Sequence, residues 1–184
     1  KHFGKAATKE WRFQGLESLG INQQKNAWEL KVTGDPVLTS PEGVHLDPFN
    51  CPYVQIRWTG DCPGGYLQWM REGDADWSAE RRAAFSADWI EGVGRSESTG
   101  MFHSIIPLYE HPQWSGKISR IRFVFQGVEK GDSLLVRSVF THWDTRHLVN
   151  NAIYVKAAYD YVRWTGDMDL LANRLPRLRK ALQY

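Results

Sequence analysis

The side chains with the widest chemical reach in this 184-residue sequence gather where its periodicity changes: Trp143, Asp144, Arg146, His147, Asn150 and Asn151. Asp144 stands where strand-like sequence gives way to helix-like sequence. Its carboxylate can serve a reaction as acid or base, or cap the helix that follows by accepting its first free N–H groups. Arg146, His147, Asn150 and Asn151 all donate hydrogen bonds. The two Asn are indifferent helix formers placed early in a helix, so they either hold hydroxyls of a ligand or satisfy backbone groups at the junction. Trp143 offers a flat ring that stacks on an apolar ligand face, or a staple that closes the same junction.

The other reactive residues are scattered. Trp69, Trp77, Trp89 and Trp114 are further stacking candidates, though core or rim packing accounts for each taken alone. His45, His103, His111 and His142 lack ligand spacing, so no metal site is expected. Glu72, Asp74, Asp76 and Glu80 form an acidic run without the spacing of a calcium loop and read as solvated. Phosphate-loop, dinucleotide and nucleophile-elbow motifs are missing, and the expected cofactor set is none. Cys51 and Cys62 are the only cysteines, and both adjoin proline in turn-like sequence, which permits one short-loop disulfide.

Composition narrows the partners. The net charge is +2 and the basic residues are dispersed except near the C-terminal end, so no nucleic acid is expected. With 42% hydrophobic residues and no apolar run near the ~18 needed to span a bilayer, no membrane is expected either. Nine Trp and seven Tyr suit a strand-rich fold. The first residues lack the apolar core of a signal peptide, so an export signal is expected to be absent or removed.

Most of the chain reads as short strands. Trp11 to Phe13 alternates briefly, and Gly15 to Asn26 looks turn-rich. Trp28, Leu30 and Val32 alternate with polar residues until Gly34-Asp35-Pro36 breaks the run. Tyr53 to Trp58 and Tyr66 to Met70 flank a Gly-rich loop and are expected to pair across it. Arg82 to Trp89 and Met101 to Tyr109 follow. In the next strand Ile118, Arg120, Arg122 and Val124 point one way and Ser119, Ile121, Phe123 and Phe125 the other, so one face is mostly apolar and one mixed. Ser133 to Phe140 is the last. Eight or nine such strands predict a mainly β fold, a two-sheet β-sandwich or jelly roll over residues 1–142.

From Arg146 the period becomes helical. Leu148, Ala152, Val155, Tyr159 and Val162 are joined by Val149, Ile153, Ala157, Tyr161 and Trp164, so the helix is apolar nearly all round and is expected to be buried on most sides. Gly166 should end it and Asp167 cap a second, amphipathic helix, with Pro176 near the start of a new helical segment. Arg57-Trp58-Thr59-Gly60-Asp61 recurs as Arg163-Trp164-Thr165-Gly166-Asp167. The flanks differ, so this is shared chain-reversal chemistry and not a duplication.

The stretch Trp143-Asp144-Thr145-Arg146-His147, Asn150-Asn151 and Tyr161-Val162-Arg163-Trp164-Thr165-Gly166-Asp167, followed by Leu170-Leu171 and Pro176, resembles the opening hairpin of bacterial glycoside hydrolases built on the six-hairpin α/α toroid. The resemblance covers about 42 residues. It implies that residues 143–184 begin an incomplete α/α toroidal domain, and that the chain is the N-terminal portion of an enzyme acting on polysaccharide or oligosaccharide. Its catalytic carboxylates would lie on later hairpins, leaving this portion inactive alone. It further implies carbohydrate as partner, and the remainder of the polypeptide or a second chain as cover for the hairpin. A secreted or periplasmic location would follow from a polysaccharide substrate. Two other readings are a non-catalytic carbohydrate-binding or adhesion module, and a purely structural support domain.

Overall fold

A computed structural model describes residues 10–87, 93–95, 100–142 and 148–182, and side chains within them except at 93–95, 142, 148–151 and 180. Nine strands come first: β1 (Arg12–Asn22), β2 (Ala27–Thr39), β3 (Tyr53–Gly60), β4 (Gly64–Arg71), β5 (Arg82–Ser86), β6 (Val93–Arg95), β7 (Phe102–Pro107), β8 (Ile118–Gln126) and β9 (Ser133–His142). Two helices follow, α1 (Leu148–Thr165) and α2 (Met168–Ala181). The chain divides into two compact units, 1–143 and 144–184.

The hydrogen-bonded order is β5-β4-β8-β2-β9-β3-β7-β6, with β1 alongside β2. This path is creased at β2. Its first half, Trp28 to Lys31, pairs with β9, and its last residues, Val37 to Thr39, pair with β8. One long strand therefore serves two layers that lie face to face. Trp58 of β3 in one layer meets Phe85 of β5 and Phe125 of β8 in the other, with ring centroids 5.6 and 6.0 Å apart. Its indole N–H donates to Ser104 Oγ at 3.0 Å, and that hydroxyl donates to the Ser86 carbonyl at 3.2 Å. Alternate residues of both layers, among them Leu30, Val54, Ile56, Leu67, Trp69, Phe123 and Val136, bury into a shared core. This is a β-sandwich, mainly β as expected, and its driving force is the apolar area the two inner faces remove from water.

Three local expectations are corrected. Gly34-Asp35-Pro36 does not end β2. Residues 33–36 stand opposite Gly15 alone in β1, because the register passes from Gln14↔Val37 to Leu16↔Val32. Gly15 has φ +62° and a Cβ there would lie 2.2 Å from the Asp35 carbonyl oxygen, so only glycine lets the two strands bend together. Likewise Gly15 to Asn22, expected as turn, belongs to the 11-residue β1. As an outer strand it needs only one apolar face, and the Trp28 indole N–H donating to Ser18 Oγ at 2.9 Å ties it down.

The third correction concerns pairing. β3 and β4 do not form a hairpin: β3 pairs with β7 and β9, β4 with β5 and β8. The loop between them carries the chain from one layer to the other, because Trp58 and Trp69 must both face inward from opposite sides. Asp61 Oδ2 accepts the Ser133 N–H at 2.9 Å, and the Cys62 thiol donates to the Gly64 carbonyl at 2.9 Å. Cys51, before β3, and Cys62 are free thiols, so the disulfide that the sequence permitted between them is not formed. Burial pushes both thiols above the usual cysteine range.

In the second unit the chemistry at the end of α1 matches the sequence. The Gly166 N–H donates to the Val162 carbonyl at 2.8 Å with φ +70°, and Asp167 Oδ1 accepts the Leu170 N–H at 2.8 Å as the cap of α2. Pro176 does not begin a new segment; it lies inside α2, in an exposed stretch of the helix. The expected burial of α1 is not met. Ile153, Tyr159, Tyr161 and Trp164 are exposed, Trp164 to 88%, whereas Leu178 of α2 is buried. The described residues form one helical hairpin and do not build a toroid.

Candidate functional site

Strand alternation decides which side chains leave the core. In β4, Leu67 and Trp69 turn inward, so Tyr66, Gln68 and Met70 lie on the outer face. In β8, Ile121, Phe123 and Phe125 turn inward, leaving Arg120, Arg122 and Val124 outward. In β5, Phe85 is inward and Arg82 and Ala84 outward. Register then sets these residues in rows: Arg82, Gln68, Arg122, Thr39 and Arg12 across the sheet, with Ala84, Tyr66, Val124, Val37 and Gln14 beside them. Gly65 makes the close approach possible, since a Cβ there would sit 2.0 Å from the Val124 carbonyl oxygen.

The segment between β4 and β5 supplies the remaining ring, Trp77, half-buried among the outward arginines. The Arg122 guanidinium lies 4.3 Å from the centre of the Trp77 ring and that of Arg120 5.8 Å. Gln68, only 5% exposed, accepts from Arg122 Nε at 2.9 Å and donates to the Ser78 carbonyl at 2.7 Å, so its amide orientation is fixed from both ends. Asp74 holds the segment's base, accepting the Arg71 N–H at 2.6 Å and pairing with Arg81 at 3.1 Å. Arg82 lies 5.5 Å from the Tyr66 ring centre. Glu42 reaches Arg120 at 3.5 Å and Arg12 at 3.9 Å. Burial lowers the Arg122 guanidinium below the usual arginine value.

The outcome is a sheet face with two aromatic rings, four guanidinium groups and one locked amide. Rings offer flat apolar area; guanidinium and amide groups offer paired donors at fixed angles. The face's carboxylates Glu42 and Asp74 are committed to arginines, and Glu72 contacts His45 at 3.1 Å and Lys117 at 3.9 Å. Among the described residues no cluster of three or more His, Cys, Asp or Glu has metal-ligating geometry.

Of the residues singled out from sequence, Trp143, Asp144, Arg146 and His147 lie outside the described residues. Asn150 and Asn151 fall in the first turn of α1, but their side chains are likewise outside the description. Trp89 is outside it too. Trp69 and Trp114 are core residues, packed edge to face at 5.1 Å, with indole N–H groups donating to the carbonyls of Gln113 and Cys51. Trp77 is the one of those four that the described structure places on an outer face. Tyr66, Gln68, Arg82, Arg120 and Arg122 were not among the sequence-derived candidates. The mixed face of β8 was the available signal, but it does not reveal which strands lie beside it.

No protein-family profile and no curated protein matches the chain. Among solved structures it is similar to a carbohydrate-binding module, CBM28, specific for non-crystalline cellulose, with TM-score 0.47 and 15% identity over 74% of this chain and 88% of that one. It is also similar to CBM86, a low-affinity xylan-binding module from Roseburia intestinalis, with TM-score 0.42 and 12% identity over 71% and 87% of the two chains. A third is CBM61 solved with β-1,4-galactotriose, with TM-score 0.39 and 13% identity over 77% and 99%. Each is a distant likeness.

Proposed function

We propose that the sandwich is a non-catalytic carbohydrate-binding module that holds a saccharide on the outer face of β4, β5 and β8. The observation that carries this reading is the cross-strand platform of Tyr66, Trp77, Arg82 and Arg122, in which the buried Gln68 amide holds Arg122 in place from beneath. Sugar rings present flat C–H faces that pack on aromatic rings, and vicinal hydroxyls that match planar guanidinium donors. Held orientation lowers the entropy cost of binding. The resemblance of the helical stretch extends the proposal: the module belongs to the N-terminal portion of a glycoside hydrolase, with catalytic carboxylates outside this chain.

The test is a titration of the chain with neutral hexose and pentose oligosaccharides, followed by tryptophan fluorescence and calorimetry. Saturable binding is expected to weaken about tenfold, roughly 1.4 kcal/mol, in Trp77→Ala, with far-ultraviolet circular dichroism and the unfolding midpoint little changed. Absence of saturable binding to every member of the panel would overturn the reading. So would full affinity in both Trp77→Ala and Tyr66→Ala.

A further inference from the structure

The opposite outer face, made by β3, β7 and β9, carries a second constellation. Inward Val54, Ile56 and Trp58 leave Tyr53, Gln55 and Arg57 outward on β3. Arg57 pairs with His103 on β7 and with Ser138 on β9. Because Trp58 pairs with Val136, one extra residue, Arg137, bulges beside Ser138. His103, Arg57, Arg137 and Ser138 thus share one row of the sheet. Two arginines and a histidine stand together there.

What distinguishes this row is what is missing around it. Five half-buried arginines among the described residues have a buried Nε without an acceptor: Arg57, Arg71, Arg81, Arg120 and Arg137. In three of them the terminal nitrogens are engaged, Arg71 by Gln113, Arg81 by Asp74 and Arg120 by Glu42. Arg57 and Arg137 have no carboxylate or carbonyl partner among the described residues, and Arg57 rests 5.2 Å from the Phe140 ring centre. Ser138 is fully buried, and its hydroxyl also has no partner among the described residues. Buried donors without acceptors are costly and uncommon, and like charges held side by side add to that cost. The positive field is felt by His103, whose proton affinity is lowered by burial first, then by Arg57 and Arg137.

We infer that this row is a binding site for an oxyanion, the carboxylate of an acidic saccharide, received by the terminal guanidinium nitrogens of Arg57 and Arg137 above the buried Ser138. A carboxylate supplies the acceptors these groups lack and matches guanidinium geometry. A saccharide is favoured over an acidic peptide because rings adjoin the cations on the same face: Phe140 pairs with Gln55 in the next row, and Tyr53 lies 5.3 Å from Tyr109. The choice of saccharide rests on the proposed carbohydrate-binding role; the anion site itself rests on the unanswered donors.

The decisive experiment is calorimetry on the full chain with tetragalacturonate, its methyl ester and an oligoglutamate peptide, in low salt. The acid is expected to bind saturably and the ester at least tenfold more weakly. Arg57→Gln and Arg137→Gln should each weaken the acid at least tenfold, while Lys130→Gln, at an exposed lysine in the turn between β8 and β9, leaves it unchanged. The acid-against-ester comparison needs no variant, so it stands even if a substitution disturbs folding. Equal affinity for acid and ester, no uronate binding, or tighter binding of the peptide would overturn the inference. Trp77-dependent binding of neutral sugars without uronate binding would sink this inference alone. Uronate binding without any neutral ligand would uphold it and remove the proposed role of the Trp77 face.

Discussion

The two outer faces of the sandwich use the same kinds of side chain, aromatic, arginine and glutamine, and differ in what answers the arginines. On the β4, β5 and β8 face, the half-buried Arg81 meets Asp74, Arg120 meets Glu42 and Arg122 meets Gln68, while Arg82 at the edge strand lies over the Tyr66 ring. On the β3, β7 and β9 face, Arg57 lies over the Phe140 ring, and neither Arg57 nor Arg137 has a carboxylate or carbonyl partner among the described residues. A closed polar network stabilises its own geometry, whereas an open one awaits an external acceptor. The first arrangement suits a preformed platform for neutral ligands, and the second suits a charged one.

The comparison can be broken in three further ways. The largest effect is expected at Gln68, whose amide joins Arg122 to the Ser78 carbonyl. Gln68→Ala should cost about 2–3 kcal/mol of unfolding free energy, because it strands a charged donor and an acceptor at once. Denaturant unfolding would read it, and a loss below about 0.5 kcal/mol would mean the network is not closed.

A smaller change belongs to His103. Its folded-state proton affinity lies below its unfolded one, so the unfolded chain binds more protons as pH falls through the ordinary histidine range near ~6.5. This group's contribution is therefore present above that range and lost as pH drops through it toward the lower folded value. Stability should fall between pH 7 and pH 5, and Arg137→Gln should flatten that slope by removing one of its causes. Identical slopes in thermal melts of the two proteins would deny the positive field on this face. The smallest effect is expected at Glu42→Gln. Its pairs with Arg12 and Arg120 are solvent-facing, so the loss should stay under about 1 kcal/mol and shrink further in high salt.

Much of the sandwich was legible because its signals are local. Alternation in Ile118 to Phe125 separates Arg120 and Arg122 from Phe123 and Phe125, and the structure keeps that division. Gly166 and Asp167 act as written, since a left-handed residue and a capping carboxylate need nothing beyond their own turn. The errors fall where local signals meet distant partners. Gly34-Asp35-Pro36 reads as a stop, yet a glycine 19 positions earlier in the chain, Gly15, lets the strand pass through. The Gly-rich loop after β3 reads as a hairpin, yet opposed Trp58 and Trp69 make it a passage between layers.

The candidate site was less legible than the fold. Trp77 was visible as a ring without an address, one of several tryptophans that sequence cannot sort into core and surface. Trp69 and Trp114 went to the core because their strand and turn face inward, and their indole N–H groups found carbonyls there. Tyr66, Gln68 and Arg82 became neighbours of Arg122 only through the pairing of β4 with β5 and β8.

By itself the sequence determined the strand-rich character, the inward and outward sides of individual strands, and the turn chemistry at Gly166 and Asp167. These follow from periodicity and from contacts within a few residues, which any chain carries with it. The tertiary structure alone decided which outward faces adjoin, and hence which arginines are answered by a partner. That outcome depends on strand order and register, which are set by how two apolar faces close on each other and not by any residue at the site.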